Sequence, residues 1–310
     1  MKTPLSVLVL TFNEEANVGA CLESVSGWAD DIRVLDSGSK DRTLEICGRF
    51  SVATTYHAYL DHRSQVAFGI TQLPWRHDWL LLLDADNVVT PELRSEIDAM
   101  LAHDDRAVNG YYNPHLHYFR NEPIRGLKAR WLRLIRRSRV RVDDSELVDF
   151  RLVVDGRTGV MRGGIIESNQ KENDIDFWID KHQKFAKRMA AEEVLRREGL
   201  LAWSRDLRPR LLGNADERMI WFKNVWYGMP LYVRPILFFF YRYVIRMGFL
   251  DGWNGLVYHV FQAFWYRLLV DVNIGEIRRD VESGRRSLED LMRESHVVAV
   301  EPKAAAVGLR

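Results

Sequence analysis

Along its first hundred residues the chain alternates short, unbroken apolar runs with stretches of helical periodicity. Residues 5–10 form one such run, the pattern of a parallel strand covered on both faces. Residues 17–25 follow with Val18, Cys21, Leu22 and Val25 on one helical face. Runs at 32–35 and 52–56 predict two further strands. Between them lies a helix that Asp41 or Thr43 can cap, with Leu44 and Cys47 turned inward. Residues 79–83 make the most hydrophobic strand of this half, and Thr90-Pro91 opens the next helix with a capping hydroxyl and a first-turn proline. Strands alternating with helices predict an α/β fold with an open, mostly parallel sheet. The polar clusters follow the strand ends, where ligands bind in such sheets.

Beyond residue 105 the pattern loosens into short β-like pieces and a dense basic run. Arg120, Arg125, Lys128, Arg130, Arg133, Arg136, Arg137, Arg139 and Arg141 fall in it, opposed mainly by Glu122. A helix is predicted over 175–197. From 221 to 270 large aromatics crowd together, interleaved with Lys223, Arg234, Arg242, Arg246 and Arg267. No window of about 18 residues there is free of charge, which argues against a spanning helix. Pro230 and Pro235 divide the first part of this segment into short pieces. Arginines among aromatics on amphipathic helices suit a position in the membrane interface, the arginines reaching toward phosphates; a buried helical cap is the alternative. The tail after Glu301 reads as disordered.

Composition narrows the options. Lys and Arg number 44 against 43 Asp and Glu, so the net charge of +1 gives no global case for nucleic acid. Cys21 and Cys47 are too few for a disulfide scaffold and read as core thiols. The run at 5–10 is too short for an export signal.

The chemistry concentrates at strand ends. Asp84-Ala85-Asp86 places two carboxylates one residue apart after a buried strand, hard oxygen donors suited to Mg²⁺ or Mn²⁺ on a diphosphate. Asp36 closes the second strand, where a carboxylate either meets a nucleotide or opens an Asx turn into Ser37-Gly38-Ser39. Thr11, Asn13 and Glu15 follow the first strand toward the same crevice. A nucleotidyltransferase would carry a glycine-rich loop there, and Thr11-Phe12-Asn13-Glu14-Glu15 has no glycine.

These blocks resemble glycosyltransferase family 2, which has the GT-A, Rossmann-like fold. The likeness runs through Val7-Leu8, Thr11 to Glu15, Val34-Leu35-Asp36-Ser37-Gly38-Ser39-Lys40-Asp41-Arg42-Thr43 and Leu81-Leu82-Leu83-Asp84-Ala85-Asp86, all in order. The resemblance implies that Thr11, Phe12, Asn13, Glu15, Asp36, Ser37, Asp41, Arg63, Gln65, Asp84 and Ala85 contact a nucleotide-sugar donor, a UDP-sugar in particular. It implies that Asp86, with Asp84, holds the metal. Phe177-Trp178-Ile179-Asp180-Lys181-His182, Gly248-Phe249-Leu250-Asp251-Gly252 and Gly255-Leu256-Val257-Tyr258-His259 resemble the subgroup that builds lipopolysaccharide cores and exopolysaccharides on lipid carriers.

The chain departs from the family pattern at three places. Where relatives carry His-Glu, it has Val148-Asp149 preceded by Glu146, so Asp149 and then Glu146 are the candidates for general base. Where a His-Glu-Asp-like run is usual, it has Glu167-Ser168-Asn169. Ala67 stands where an Asn is expected after Gln65. The resulting expectation is an inverting transfer of sugar to a lipid-linked saccharide, on the cytoplasmic face of the inner membrane. A polyprenyl-phosphate acceptor and a catalytically silent relative are the alternatives. The expected organisation is a catalytic domain at 1–215, a membrane-associating helical region at 216–275 and a helical or disordered tail at 276–310.

Overall fold

The computed structural model describes residues 2–103, 105–125, 127, 129–143, 145–148 and 150–295. Asp149, Lys128 and the tail after Glu301 lie outside the described residues.

The first half follows the predicted alternation. Its elements are β1 (Thr3–Thr11), α1 (Val18–Val25), β2 (Ala29–Asp36), α2 (Thr43–Arg49), β3 (Ala53–Tyr56), α3 (His62–Gln72), β4 (Trp79–Asp84), β5 (Asn87–Val89) and α4 (Pro91–Ala102). The Thr90 hydroxyl caps α4 by accepting the Leu93 N–H at 3.2 Å. Asp41 stands one residue before the first capping position of α2, which is Arg42, and its Oδ1 accepts the Thr43 N–H at 3.0 Å.

The middle of the chain supplies β6 (Val108–Phe119), β7 (Glu122–Pro123), β8 (Ala129–Arg136), β9 (Val140–Asp143), β10 (Arg151–Val154), β11 (Arg157–Val160) and β12 (Ile165–Glu167). Much of the basic run is therefore strand. Helices complete the chain: α5 (Ile175–Arg197), α6 (Ala215–Gly228), α7 (Arg234–Phe240), α8 (Gly252–His259), α9 (Tyr266–Glu282) and α10 (Leu288–Glu294). Helix α5 occupies the predicted span, and Pro235 sits in the first turn of α7. π-Helical turns at Tyr241–Ile245 and Val260–Trp265 continue α7 and α8.

The main sheet runs β3-β2-β1-β4-β8-β6-β12-β5. Pairings among β1 to β4 are parallel, and β8 is antiparallel to both β4 and β6. The chain leaves β1 toward β2 and β3 and returns to β4 on the other side, which makes a topological switch point between β1 and β4. At their carboxyl ends Leu10 lies beside Asp84, and Thr11 beside Asp36. One face of the sheet buries Val7, Val9, Leu81 and Leu83 with Val18 and Leu22 of α1, Cys47 of α2 and Leu93 and Ile97 of α4. The other buries Leu8 and Leu82 with Val66 and Ile70 of α3. This two-sided cover is why the strand runs are apolar without alternation.

A separate helical core joins Trp178, Ala186, Ala190 and Leu195 of α5 to Tyr266, Val270, Ile274 and Ile277 of α9. Helix α9 passes unbroken through residue 275. Arg234, fully buried, ties this layer together. Its Nε and Nη2 donate to Asp271 Oδ1 at 2.8 and 2.5 Å, Nη1 and Nη2 to Glu193 at 2.9 Å each, and Nη1 to the Trp226 carbonyl at 3.1 Å. All five guanidinium donors are used, joining α5, α6, α7 and α9.

The arginines thus correct one expectation. Arg234 and Arg242 point into the protein and do not reach outward, whereas every exposed residue from 232 to 260 is apolar or aromatic except Gly252. Ile236, Leu237, Phe240, Ile245, Phe249, Leu250 and Trp253 are among them. Among the described residues no helix is long and apolar enough to cross a membrane.

Arg234→Ala would leave two carboxylates in a dry interior. The expected loss is about 3–5 kcal/mol of unfolding free energy, read as a lower denaturant midpoint. An unchanged midpoint would show that the clamp does not hold the helices together.

Candidate active site

The two loops that follow β1 and β2 are stitched into one structure. Asp36 Oδ1 accepts from the Thr11 hydroxyl at 2.8 Å and the Ser39 hydroxyl at 2.5 Å, while Oδ2 accepts the Gly38 and Ser39 N–H groups at 2.8 Å each. This is the Asx-turn geometry, and Asp36 here spends its oxygens organising the loop. Gly38 has φ +94°, and a Cβ there would lie 3.3 Å from the Tyr56 ring, so the turn needs glycine. Asn13, itself left-handed at φ 54°, donates its N–H to Ser39 Oγ and accepts from Lys40 N–H with its side chain, both at 2.8 Å. Glu15 N–H donates to Asp41 Oδ2 at 3.0 Å, and Glu15 Oε2 accepts from Arg42 N–H at 3.1 Å. Ser37 Oγ accepts from Gln65 Nε2 at 2.8 Å, which brings α3 to the same rim. Arg63 Nη2 donates to Asp61 at 2.8 Å. Phe12 is exposed on its loop, whereas the Ala85 side chain is buried in the core.

The paired aspartates differ sharply in environment. Asp84 Oδ2 accepts from Arg133 Nη2 at 2.9 Å, and its Oδ1 lies 3.5 Å from His62 Nε2. Burial pushes the Asp84 carboxyl up, but Arg133 and His62 outweigh it and hold it well below the usual carboxylate range. Arg133 reaches Asp84 because β8 is irregular at this point. Tyr111 pairs with Leu134 and Tyr112 with Leu132, which leaves Arg133 as the extra residue of a bulge.

Among the described residues the direct partners of Asp86 are amides: Asn87 Nδ2 donates to one oxygen at 2.9 Å and Asn169 Nδ2 to the other at 3.1 Å. Burial, then the charges of Glu167 and Asp84, push its carboxyl well up, against Lys181.

Glu167 is the residue that the sequence reading left without a role. β12 carries it between Asn87 on β5 and His117 on β6. His115 Nδ1 and His117 Nδ1 lie 3.3 and 3.2 Å from its Oε2. Burial alone would raise the Glu167 carboxyl, but the two histidines hold it well below the usual range, so it is ionised at neutral pH. Lys181 Nζ, paired with Glu172 at 2.5 Å, adds a cation within electrostatic reach of both Asp86 and Glu167. Asn17 on the β1–α1 side binds the loop after β12, its Nδ2 donating to Asn169 at 3.1 Å and its Oδ1 accepting Gln170 N–H at 2.8 Å. The Glu167-Ser168-Asn169 departure was the available signal for this half of the crevice.

Glu146 has a different place. Both of its oxygens are held in a buried network, by Arg151 Nε at 3.1 Å and Lys223 Nζ at 2.6 Å, and the network runs on through Asp216 and Glu192. Although burial pushes it up, Lys223 and Arg151 hold its carboxyl down at about 2. With each oxygen buried and already paired to a cation, Glu146 has none to offer an acceptor hydroxyl, and it joins the β9–β10 region to α6. Among the described residues no group of three or more His, Cys, Asp or Glu side chains forms a metal cage.

Comparison with known proteins follows the same lines. The pattern of the family described as Glycosyl transferase family 2 matches residues 6–150. The lipopolysaccharide core biosynthesis glycosyltransferase LpsC of Rhizobium meliloti (strain 1021) is 30% identical over 200 residues, 62% of this chain and 73% of that protein. An uncharacterized glycosyltransferase of Rickettsia bellii (strain RML369-C) is 32% identical over 98 residues, 32% of this chain and 33% of its own length. The glucosyl-3-phosphoglycerate synthase of Mycobacterium tuberculosis, solved with Mn²⁺, UDP and phosphoglyceric acid, is 18% identical. That likeness covers 37% of this chain and 43% of the other with a TM-score of 0.31, too slight to bear on fold or site.

Glu146→Gln is expected to cost about 3 kcal/mol of stability at neutral pH by taking one of two carboxylate partners from each of Lys223 and Arg151, which keep Glu192 and Asp216. Because the folded carboxyl sits below its ordinary value of 4.5, this contribution is complete above that pH and fades as pH falls toward about 2. Denaturation of both proteins across that range checks it; a difference that grows on acidification would contradict the pairing.

Proposed function

The chain belongs to glycosyl transferase family 2, and on that premise we propose that it moves a sugar, with inversion, from a nucleotide-sugar donor to a hydroxyl of a lipid-linked saccharide at a membrane surface. The observation that carries this reading is the convergence of Asp84, Asp86 and Glu167 at the β1–β4 switch point, beside the stitched loops that follow β1 and β2. The chain is a glycosyltransferase by family. The donor class, the metal, the acceptor and the membrane are our inference.

The donor set fits a hard divalent cation. Asp86 is half-buried beside other negative charges with amide donors as its bonded partners, an environment that favours a cation over a proton. A single carboxylate ligand, with no cage of three among the described residues, suits Mg²⁺ or Mn²⁺, which keep positions for water and diphosphate oxygens. Asp86 is the ligand in this reading, and Asp84, already paired with Arg133, positions it. When bound, the cation neutralises charge on the departing diphosphate. Lys181 lies where it can stabilise the same charge. Glu167, ionised and oriented by His115 and His117, takes the proton of the acceptor hydroxyl as that oxygen attacks the sugar from the face opposite the leaving group.

The likeness to a lipopolysaccharide core enzyme and the exposed apolar face of 232–260 together support a lipid-borne acceptor, approached from the cytoplasmic face of the inner membrane. Residues 1–215 carry the donor chemistry in this scheme, 216–275 the membrane contact, and 276–310 a tail.

A transfer assay with radiolabelled nucleotide sugars and membrane extract tests the chemistry. Asp86→Ala and excess EDTA should each cut turnover by about a hundredfold or more, with the fold retained. Glu167→Gln should keep donor binding and lower kcat by about 10²–10⁴-fold. Full turnover in EDTA would overturn the metal, and damage confined to Asp149→Asn would return the base to residue 149. The protein should sediment with membranes and be released by detergent but poorly by salt, since apolar contact is not screened. Release by salt alone would contradict the apolar attachment.

A further inference from the structure

The C-terminal helices hold two kinds of arginine. Arg234 has every donor matched, as described above. Arg242, Arg246 and Arg267 make no ion pair among the described residues, although Arg242 is more than nine-tenths buried. Among the described residues Arg242 Nε and Nη2 have no hydrogen-bond partner, although both are buried. The guanidinium groups of Arg242 and Arg267 lie 5.6 and 5.5 Å from the centroid of one ring, that of Phe238. Burial and the repulsion of Arg267 and Arg246 hold the Arg242 guanidinium below its ordinary value, against the Tyr258 hydroxyl. A guanidinium taken from water with no counter-charge, among others of the same sign, is costly unless an anion completes it.

His259 belongs to the same cluster. It is fully buried, and neither ring nitrogen has a partner among the described residues. Burial and Arg242 lower it to about 4, so it is neutral at pH 7 and keeps one N–H to donate. The turn Gly248–Asp251 packs against it so closely that a Cβ on Gly248 would lie 2.3 Å from His259 Nε2. These are residues of the two glycine-containing motifs, to which the donor chemistry gives no role. The same turn carries Phe249 and Leu250 outward, and Trp253 follows, all exposed. On the inner side Tyr258 lies within electrostatic reach of Glu167 and Glu172, and its ring is 5.5 Å from that of Phe119. The cluster therefore stands between an apolar outer face and the crevice.

We propose that Arg242, Arg246, Arg267 and His259 bind the phosphate or diphosphate of an amphiphile whose tail lies along the exposed apolar face, the group that anchors the acceptor sugar beside the crevice. This rests on the reading of a lipid-borne acceptor. Several charge-assisted donors around a phosphate, with apolar surface adjoining, match such a molecule in both of its parts.

Flotation of the full-length protein on phosphatidylcholine vesicles tests it. One set carries a minor fraction of diacylglycerol and the other the same fraction of phosphatidic acid, so that the two differ by the phosphate alone. Wild type should bind the phosphate-bearing set about a hundredfold more tightly, with about fivefold of that preference lost per arginine removed. The double variant Arg246→Gln, Arg267→Gln changes half-buried positions and should lose most of the preference while still floating with diacylglycerol vesicles. Adding Arg242→Gln should remove the rest, with its melting transition confirming the fold. Equal flotation of wild type on both sets overturns the phosphate site and leaves membrane attachment standing, whereas flotation on neither overturns both. A preference that survives in the triple variant overturns the assignment to these arginines. Inorganic pyrophosphate that stabilises wild type as strongly as the phosphate-bearing vesicles do, through the same arginines, would make the ligand a soluble anion and overturn the lipid.

Discussion

Charge taken out of water in this protein is matched by opposite charge, and much of the architecture follows from that constraint. Arg133 on Asp84, Arg151 between Glu146 and Asp216, Lys223 between Glu146 and Glu192, and Arg234 between Glu193 and Asp271 each join elements far apart in sequence. Removing one partner from such a set leaves an uncompensated ion, so each pairing fixes where its elements sit more firmly than apolar packing alone would. The helical layer is thereby registered to the sheet: Tyr112 of β6 donates to Asp216 at the start of α6, and Asp216 also holds Arg151 of β10.

Where the matching is incomplete, chemistry follows. Asp86 and Glu167 are two half-buried carboxylates within electrostatic reach of one another, and the cations near them do not cancel both. The surplus negative charge at the β1–β4 switch point and the surplus positive charge around Arg242 are opposite exceptions to one rule. The first suits a metal and a proton in transfer, and the second a phosphate. Both lie within electrostatic reach of Tyr258, on which Arg242 and Glu167 act with opposite sign.

The outward face of 232–260 turns ordinary helix amphipathicity around. Its charged side chains Arg234 and Arg242 are inside, where Glu193, Asp271 or an incoming anion can meet them, and its large apolar groups are outside. Such a face leaves apolar area in water at about 25 cal/mol per Å², a standing drive to cover it.

The sequence by itself determined the α/β half. Unbroken apolar runs, Thr90-Pro91 and the polar clusters after each strand are local signals, and local sterics and two-sided burial act on them directly. Asp36, Asp84 and Asp86 stood out for the same reason, since Asp36 and Asp84 end strands and Asp86 follows two residues later. Tertiary structure alone decided the partners. Nothing around Glu146 in sequence announces Lys223 and Arg151 as its ion pair, and nothing around Glu167 announces His115 and His117. A bulge in β8, invisible to periodicity, aims Arg133 at Asp84. The arginines of 234–267 look alike in the chain, and only the fold brings Glu193 and Asp271 to Arg234 and leaves Arg242 without a carboxylate among the described residues. Pattern encodes which side of an element is buried, but the fate of a buried charge depends on groups that the chain brings together only when it folds.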